Sequence, residues 1–379
     1  MDKINIVFVH DRLVCGGTDQ ALYDLVQLLD KDKFKVTVFV QKPGGPWDEK
    51  FTDAGIRLWY DYSCRKPTFN PITKIGNIVK RLQTEQAYRN NGQGLLDVCY
   101  PEGADIIVSY SMWDHVLCGF GKNAKSVKFI HGNMDTNQAF RDLILRDLEL
   151  LPRYERIVCV SKLARDAFVS ATGISQGVQM HFNPMNSAYV HRLAEEKVDL
   201  PTDLPIVCAV GRLAAEKGFE RLIVIHKRLV EQGVAHRLVL VGDGPDRDYI
   251  RRIVNAVDAQ DSVILAGYQS NPYPYMKQSR FVVCSSFTEG LPVIAMEALC
   301  LGIPMVSAVP SVEEIFGQEN CGLITANDNQ SLMEGMRKML TDDEYYHQIK
   351  QGAQKRSTFF DGKRMVQELE EMFLDMMKA

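Results

Sequence analysis

Short apolar runs alternate with helix-like segments along most of the chain, and this alternation constrains the fold more than any other feature. In the first half, the runs lie at residues 4–9, 35–40, 105–109, 128–130 and 157–160. In the second half, they lie at residues 206–210, 237–241, 263–267, 281–285 and 304–308. Short strands joined through helices are typical of βαβ units and parallel sheets. The pattern therefore predicts an α/β fold with two doubly wound domains of similar size.

A segment without this alternation separates the two series. Residues 183–205 contain three prolines, a charge cluster and little apolar periodicity, which is typical of a hinge between domains. We expect a Rossmann-like N-terminal domain at 1–185 and a Rossmann-like C-terminal domain at 186–359. Ligands of doubly wound sheets bind outside the carboxyl ends of the strands. We therefore expect the two domains to face a central cleft that holds the ligand.

Composition narrows the class of partner and the compartment. A formal net charge of −4 and a pI near 6.1 argue against a nucleic-acid-binding protein, because phosphate backbones are held by a concentrated positive field. The nine cysteines show no CxxC spacing, and several lie in apolar strands, which predicts reduced thiols and a cytoplasmic location. No apolar run approaches the roughly 18 residues of a membrane-spanning helix, so we expect a soluble chain.

Residues 70–89 depart from the alternation and have the spacing of an amphipathic helix. Apolar and basic residues share this segment: Ile72, Ile75, Ile78, Val79 and Leu82 with Lys74, Lys80, Arg81 and Arg89. The favoured interpretation is a surface helix that covers the first sheet. The alternative is a basic helix that lies on an anionic membrane surface. The alternative predicts a peripheral contact of the protein with the cytoplasmic face of a membrane.

The segment AVGRLAAEKGFERL, residues 209–222, begins as a strand and ends as a helix. Arg212 and Lys217 lie in the loop between them, next to the free N–H groups of a helix N-terminus. Two cations in this position form a plausible diphosphate site. The alternative is a solvated loop in which Glu216 pairs with a neighbouring cation.

The segment SSFTEGLPVIAMEALCLGIP, residues 285–304, places two glutamates near the carboxyl end of another strand. Glu289 lies in the loop, and Glu297 lies within the helix that Pro292 is expected to open. A carboxylate among apolar residues needs a partner, and the vicinal hydroxyls of a ribose would supply one to Glu297. The alternative is two ordinary helix-end glutamates.

Glycines follow two of the predicted strands. Gly16 and Gly17 would let the backbone approach a ligand closely, and Thr18 is expected to cap the helix that follows. The segment GDGP at 242–245 predicts a tight turn. Neither segment has the three glycines of the dinucleotide fingerprint, which argues against a nicotinamide dehydrogenase. The sequence also lacks a DxD motif at a strand end and a His or Cys cluster with metal-ligand spacing, so we expect no metal site.

Taken together, these segments resemble glycosyltransferase family 4, a group of retaining enzymes with the GT-B fold. The resemblance covers nearly the whole chain and rests on the Gly16–Gly17 loop, FIHG at 129–132, VCVSKLARDAF at 158–168, FNPMN at 182–186, GRLAAEKG at 211–218, VGDGP at 241–245 and EGLPVIAMEAL at 289–299. One segment departs from the family pattern. SVEEI at 311–315 lacks the glycines that the family usually has there, which puts local sugar or phosphate contacts at that segment in doubt.

The resemblance implies a reaction and a set of roles. The reaction moves a sugar, with retained anomeric configuration, from a nucleoside-diphosphate sugar to an acceptor hydroxyl in cell-surface polysaccharide or glycolipid synthesis, with a UDP-sugar favoured as donor. Glu297 would bind the ribose, Glu289 would lie by the donor sugar, and His131 would lie near the reacting carbon. The residues implied for the donor diphosphate are Gly16, Gly17, Arg212, Lys217, Gly290 and Leu291. The partners would be this donor and a glycan or lipid-linked acceptor, with no cofactor and no metal. The C-terminal helix at 360–379 would pack back on the first domain.

Other interpretations remain open at this point. A nucleotide-sugar epimerase or a phosphorylase could use the same two-domain fold, and a non-catalytic subunit could bind nucleotide sugars without turnover. Without the resemblance, His131 would be a hydrogen-bonded core histidine. The tryptophans are expected in the core, with stacking on an acceptor sugar as the alternative role. Sequence alone does not identify the sugar, the acceptor or the oligomeric state.

Overall fold

The computed structural model describes residues 3–14, 16–60, 71–89, 95–100, 102–111, 123–289 and 291–378. The chain divides into two compact units, and each is described by itself. Unit 1 comprises Met1–Pro184 and Gly362–Ala379, and unit 2 comprises Met185–Asp361.

Unit 1 is built on a seven-stranded parallel sheet. The strands are β1 (Ile4–His10), β2 (Phe34–Val40), β3 (Arg57–Tyr60), β4 (Ile106–Ser109), β5 (Lys125–Ile130), β6 (Arg156–Cys159) and β7 (Val178–Met180). Their spatial order is β3-β2-β1-β4-β5-β6-β7, which reverses direction next to β1 as a doubly wound sheet does. The described helices among them are α1 (Gly17–Leu28), α2 (Asp48–Asp53), α3 (Pro71–Arg89), α4 (Leu95–Cys99), α5 (Gln138–Arg146) and α6 (Lys162–Thr172), with a 3₁₀ helix at Leu148–Arg153.

Unit 2 repeats this plan with six parallel strands in the order β10-β9-β8-β11-β12-β13. The strands are β8 (Ile206–Val210), β9 (Arg237–Val241), β10 (Val263–Gly267), β11 (Phe281–Cys284), β12 (Met305–Ser307) and β13 (Gly322–Ile324). The helices are α7 (Ser187–Leu193), α8 (Phe219–Glu231), α9 (Arg247–Ala256), α10 (Tyr273–Lys277), α11 (Val293–Cys300), α12 (Glu313–Phe316), α13 (Asn329–Thr341) and α14 (Asp343–Ser357), with 3₁₀ helices at Ala215–Lys217 and Pro310–Val312. Two doubly wound sheets of similar size agree with the sequence prediction.

The last helix, α15 (Gly362–Lys378), belongs to unit 1. Its Phe373 meets Phe8 and Phe34 edge to face, with ring centroids 6.5 and 6.2 Å away. The carboxylate of Glu370 accepts hydrogen bonds from the backbone N–H of Asp30 at 2.7 Å and from the Lys33 ammonium at 3.2 Å. The chain therefore returns to its first unit after completing the second.

Strands β3 and β7 and helix α7 are among the elements that were not predicted from the sequence. Strands β3 and β7 lie at the two edges of the first sheet and are only half-buried, so they lack the continuous apolar run that marked the other strands. Helix α7 lies inside the segment predicted as a hinge. Asn186 caps it by accepting the backbone N–H of Tyr189 at 3.1 Å. The polar residues of this segment thus form a short capped helix.

Helix α3 lies where the amphipathic spacing predicted a helix, but its apolar residues do not all cover the sheet. Ile78, Val79 and Leu82 are 51%, 47% and 59% exposed. Thr84 and Ala87 are buried instead, in the part of the helix that precedes α4. No helix in the described part of the chain is long and apolar enough to cross a membrane.

Candidate functional site

In unit 2, the loop that follows β8 packs directly against the loop that follows β9. The backbone N–H of Leu213 donates to Asp243 at 3.0 Å, and the N–H of Asp246 donates back to Leu213 at 3.0 Å. A Cβ atom on Gly242 or Gly244 would collide with the backbone of this neighbouring loop. The glycines of the GDGP segment are therefore required for loop-to-loop packing, and α9 begins two residues after Pro245.

The loop after β8 is also joined to the loop after β11. The Ser285 hydroxyl donates to the carbonyl of Lys217 at 2.9 Å, and the N–H of Phe287 donates to the carbonyl of Glu216 at 2.8 Å. Gly218 adopts a left-handed conformation with φ 64° and lies directly against the Ser285 carbonyl, where a Cβ would collide. Two segments far apart in sequence are thereby held side by side.

This packing brings together two of the predicted donor-binding residues. The ammonium group of Lys217 lies 2.5 Å from Oε1 of Glu289, and the same oxygen accepts the Ser286 hydroxyl at 2.7 Å. The side chains are 27% and 17% exposed, so the pair is partly removed from water. Charge-assisted hydrogen bonds of this kind are stronger than neutral ones. The sequence had placed both residues at strand ends but had not predicted their contact.

Arg221 of α8 holds the loop that follows β11 through hydrogen bonds. It was not predicted from the sequence. It is 6% exposed and donates to the carbonyls of Ser285, at 2.8 and 2.5 Å, and of Ser286, at 2.9 Å. Burial lowers the pKa of the Arg221 guanidinium below its ordinary value. Its face lies 4.1 Å from the ring centre of Phe287. The sequence signal that could have identified Arg221 is a charged residue at a position of α8 that the helical spacing turns toward the core.

The other predicted cation, Arg212, lies on the surface. Its side chain is 66% exposed and donates to Glu216 at 2.6 Å. This is the surface pair that the alternative interpretation of the loop predicted. Arg212 is therefore in the same loop as Lys217 but is bound to a neighbouring carboxylate in this structure.

Glu297 is half-buried on α11, and Tyr273 of α10 holds it. The Tyr273 hydroxyl donates to Oε1 of Glu297 at 3.0 Å. Pro292 is the N-cap residue of α11, so the helix begins one residue later than the sequence suggested. Leu291 is buried at 8% exposure, and Gly290 lies outside the described residues. Tyr273 lies outside the sequence motifs described above and was not predicted.

In unit 1, His131 follows β5 and packs against two aromatic rings. Its ring centre lies 4.5 Å from that of Tyr110 and 5.8 Å from that of Phe129. Burial and the nearby cation of Lys128 lower the pKa of His131 to about 3, so the imidazole is neutral at ordinary pH. Its Nε2 atom is buried without a hydrogen-bond partner among the described residues. A buried ring nitrogen without a partner is unusual in a folded protein.

The Gly16–Gly17 loop leads from β1 into α1. Gly16 is the N-cap residue, and Gly17 is the first residue of the helix. The prediction that Thr18 caps this helix is wrong, because Thr18 already lies in the first helical turn. Asp19 takes that role by accepting the backbone N–H of Gly16 at 2.6 Å. Sequence reasoning missed Asp19, although an acidic residue three positions after an N-cap is a known capping signal.

The other residues considered in the sequence analysis are Ser311 and the three tryptophans. Ser311, in the segment that departs from the family pattern, is 5% exposed. The Trp59 indole donates to the Cys99 carbonyl at 2.7 Å inside the core, and Lys50 lies over the Trp47 ring. Trp113 lies outside the described residues. Within the described ranges, no group of three or more His, Cys, Asp or Glu side chains is arranged to hold a metal ion.

Comparisons with known proteins match this chain to glycosyltransferases. The family model described as "Glycosyl transferases group 1" matches residues 191–356, which lie entirely in unit 2. The chain is 26% identical over 370 residues to the N-acetylgalactosamine-N,N'-diacetylbacillosaminyl-diphospho-undecaprenol 4-alpha-N-acetylgalactosaminyltransferase of Campylobacter jejuni, covering 95% of this chain and 96% of that one. It is 22% identical over 374 residues to an uncharacterized glycosyltransferase of Haemophilus influenzae, covering 97% and 99%.

Solved structures show the same fold. Anabaena HepE in complex with UDP and glucose superposes with a TM-score of 0.76 at 17% identity, covering 98% of this chain and 100% of that chain. Sucrose-phosphate synthase from Thermosynechococcus elongatus superposes with a TM-score of 0.75 at 17% identity, covering both chains fully. The predicted GT-B fold is confirmed. The group 1 match and the relatives support a glycosyltransferase, and Arg212, Lys217, Glu289 and Glu297 all lie within the matched region.

Proposed function

We propose that this protein is a retaining glycosyltransferase of family 4 that transfers a sugar from a nucleoside-diphosphate donor, with a UDP-sugar favoured, to an acceptor hydroxyl. The observation that carries the proposal is the contact between Lys217 and Glu289 at the carboxyl ends of β8 and β11. The cation would bind the diphosphate and the adjacent carboxylate would bind a sugar hydroxyl, and both residues lie within the region that matches group 1 glycosyltransferases.

The main task of these residues is to stabilise the leaving group. Cleavage of the bond between the anomeric carbon and the phosphate oxygen leaves negative charge on the diphosphate. Fixed cations and helix-end N–H groups stabilise such charge without reorganisation, and this term is often the largest in catalysis. Lys217 is fixed by Glu289 and by the tie between its loop and Ser285. Arg212 would bind the diphosphate after leaving Glu216, which its surface exposure allows.

The carboxylates would orient the donor. Glu297, which accepts a hydrogen bond from Tyr273 at 3.0 Å, would accept the two ribose hydroxyls. Glu289 shares Lys217 with the diphosphate and would accept a hydroxyl of the donor sugar. His131 would bind a sugar hydroxyl through Nε2 once donor binding exposes this buried atom, since a neutral imidazole can accept or donate one hydrogen bond there.

Retention follows if the acceptor attacks from the face that the diphosphate leaves. The acceptor oxygen forms the new bond to the anomeric carbon, the bond to the diphosphate breaks, and a phosphate oxygen takes the acceptor's proton. No protein nucleophile is assigned. The fixed cations supply the charge stabilisation, so the proposed reaction proceeds without an added divalent metal or a cofactor.

The relatives support an acceptor in cell-surface glycan synthesis. One is named for a diphospho-undecaprenol-linked substrate, one for lipopolysaccharide core biosynthesis and one for colanic acid biosynthesis. We propose a lipid-linked glycan or a growing polysaccharide as the acceptor, used at the cytoplasmic face of the membrane. The UDP-containing HepE complexes support a UDP-sugar as the donor.

A donor screen tests the proposal. Purified protein is incubated without added metal with a panel of UDP-, GDP-, ADP- and CMP-sugars, and released nucleotide is measured with water as the default acceptor. Release from one donor should persist with a chelator and be lost in Lys217→Ala but not in Lys227→Ala, which changes a lysine on the α8 surface. Proton NMR of the transfer product then gives its anomeric configuration. Folded protein that binds a donor without cleaving it would favour a non-catalytic subunit, and protein that isomerises the sugar would favour an epimerase.

A further inference from the structure

We propose that Asp19, held by His10, is a positioning residue that fixes the Gly16–Gly17 loop in the shape that receives the donor diphosphate. This inference rests on the proposed function, because the resemblance assigns that loop to the diphosphate. Neither Asp19 nor His10 was assigned a role from the sequence.

One buried carboxylate holds the loop from two sides. Oδ2 of Asp19 accepts the backbone N–H of Gly16 at 2.6 Å and of Val14 at 3.1 Å. Oδ1 lies 2.6 Å from Nε2 of His10, the last residue of β1. Asp19 is 2% exposed and His10 is 4% exposed, so these bonds are shielded from water. The carboxylate therefore connects the end of the central strand, the loop and the first turn of α1.

Burial makes this arrangement difficult to open. A carboxylate removed from water is costly unless its oxygens are hydrogen-bonded, and its three donors compensate that cost only while the loop keeps its present shape. If the loop moved away, Asp19 would be left buried with two bonds lost. The fold thus holds the N–H groups of Val14 and Gly16 against Asp19.

The same contacts determine which backbone N–H groups of this loop could donate to a ligand. In this structure the Gly16 N–H donates to Asp19 and not to a ligand. The first N–H groups of a helix have no intrahelical acceptor, which leaves those of Gly17 and Thr18 for an anion. Gly16 also has little room for a side chain, since a Cβ there would lie 3.2 Å from Oδ2 of Asp19.

His10 anchors the carboxylate and offers no second bond to it. Its Nε2 faces Asp19, and its Nδ1 is buried without a partner among the described residues. The role of His10 is to donate a hydrogen bond to Asp19 from a side chain of this length. A glutamine, whose side-chain amide can donate over a similar distance, should replace it better than a phenylalanine of similar size.

Donor kinetics of Asp19→Asn test the inference. Asparagine keeps the shape, but its amide nitrogen can only donate, so it can meet Nε2 of His10 only if the imidazole proton moves to the buried Nδ1, which has no acceptor among the described residues. We expect the donor KM to rise roughly tenfold or more, within the range for an unsatisfied buried group, and kcat to fall as well, because the N–H groups of this loop would also stabilise the charge that develops on the leaving diphosphate. His10→Phe should behave like Asp19→Asn, and His10→Gln should stay close to the unaltered protein.

Asp105→Asn is the matched control. Asp105 accepts the N–H of Asn5 at 2.7 Å at the opposite end of β1, so its loss should lower stability without changing the donor KM. A KM change in Asp19→Asn no larger than in Asp105→Asn would overturn the inference.

Hydrogen exchange separates this inference from the proposed function. Peptides covering residues 14–17 should exchange faster in Asp19→Asn than in the unaltered protein, and those in Asp105→Asn should not. If no donor is turned over by the unaltered protein, the transferase proposal fails, and the exchange measurement still decides whether Asp19 fixes the loop. Unchanged exchange in Asp19→Asn would refute the positioning role even in an active enzyme.

Discussion

The ammonium group of Lys217 lies 2.5 Å from a carboxylate oxygen of Glu289, although the two residues are 72 positions apart. The contact exists because β8 and β11 are neighbours in a parallel sheet, so their carboxyl ends meet at one edge. A diphosphate that binds Lys217 must share this cation with Glu289. The pair therefore sets both the position of the cation and the electrostatic cost of binding a second anion.

Lys217→Ala should lower kcat by about 10²-fold or more, the range seen when a fixed donor to a developing charge is removed. Arg212→Ala should have a smaller effect, because Arg212 is exposed and already paired with Glu216. Steady-state release of nucleotide from the active donor measures both. Equal losses in the two variants would mean that the exposed Arg212 contributes as much as the fixed lysine.

Gly218→Ala should abolish most activity and lower the melting temperature. Its φ of 64° strains any L-residue, and its Cβ would collide with the Ser285 carbonyl, which would push apart the loops that carry Lys217 and Glu289. Gly233→Ala is the matched control, because Gly233 has φ 84° and open space around its Cβ position. We expect Gly233→Ala to cost about 1 kcal/mol of stability and to keep its activity. Similar activity in both variants would contradict the role of the close contact.

Glu297→Ala should remove discrimination between ribose and deoxyribose nucleotides. Titration calorimetry with the active nucleoside diphosphate and its 2'-deoxy form measures this directly. Tyr273→Phe should weaken ribose binding by roughly threefold to tenfold, because it removes one hydrogen bond that orients Glu297. Preserved discrimination in Glu297→Ala would show that the ribose binds elsewhere.

Unit 2 should lose stability in mild acid because of two buried histidines. Nδ1 of His226 lies 2.9 Å from Nε2 of His236, and burial lowers the pKa of His226 to about 3 and lowers that of His236 as well. The folded state keeps these imidazoles neutral, whereas the unfolded chain takes up protons below a pH of about 6.5. Stability is therefore fully present above that pH and is lost as the pH falls toward about 3.

Urea unfolding between pH 7 and pH 4 checks this prediction. His226→Gln should flatten the dependence of the unfolding free energy on pH, and His347→Gln, at an exposed position, should not. An unchanged slope in His226→Gln would assign the acid sensitivity to other groups.

Contact of α3 with membranes stays a prediction from the sequence, and the exposure of Ile78, Val79 and Leu82 makes it testable. Vesicles containing phosphatidylglycerol should co-sediment with the protein more than neutral vesicles do, since apolar area and basic side chains both favour an anionic surface. Replacing these three residues with serine should remove the difference. Equal sedimentation with neutral vesicles, or no loss in the serine variant, would contradict the prediction.

Sequence patterns predicted the elements that are buried on both faces, and the reasons for the failures are physical. Continuous apolar runs located ten strands, but the half-buried edge strands β3 and β7 carry no such run. The glutamates and cations of the site were found because a polar side chain after an apolar strand is unusual. Arg221, Tyr273 and Asp19 were missed, since each acts through a partner that the fold supplies. The carbonyls that Arg221 holds lie 64 and 65 positions away.

The return of α15 to unit 1 has a consequence for synthesis. Phe8 and Phe34 precede unit 2 in the chain, but the aromatic ring that covers them, Phe373, is translated only after the whole of unit 2. Unit 2 is contiguous in sequence and can complete its core on the nascent chain, whereas unit 1 cannot. The apolar face that α15 covers in unit 1 therefore stays open while unit 2 is being translated.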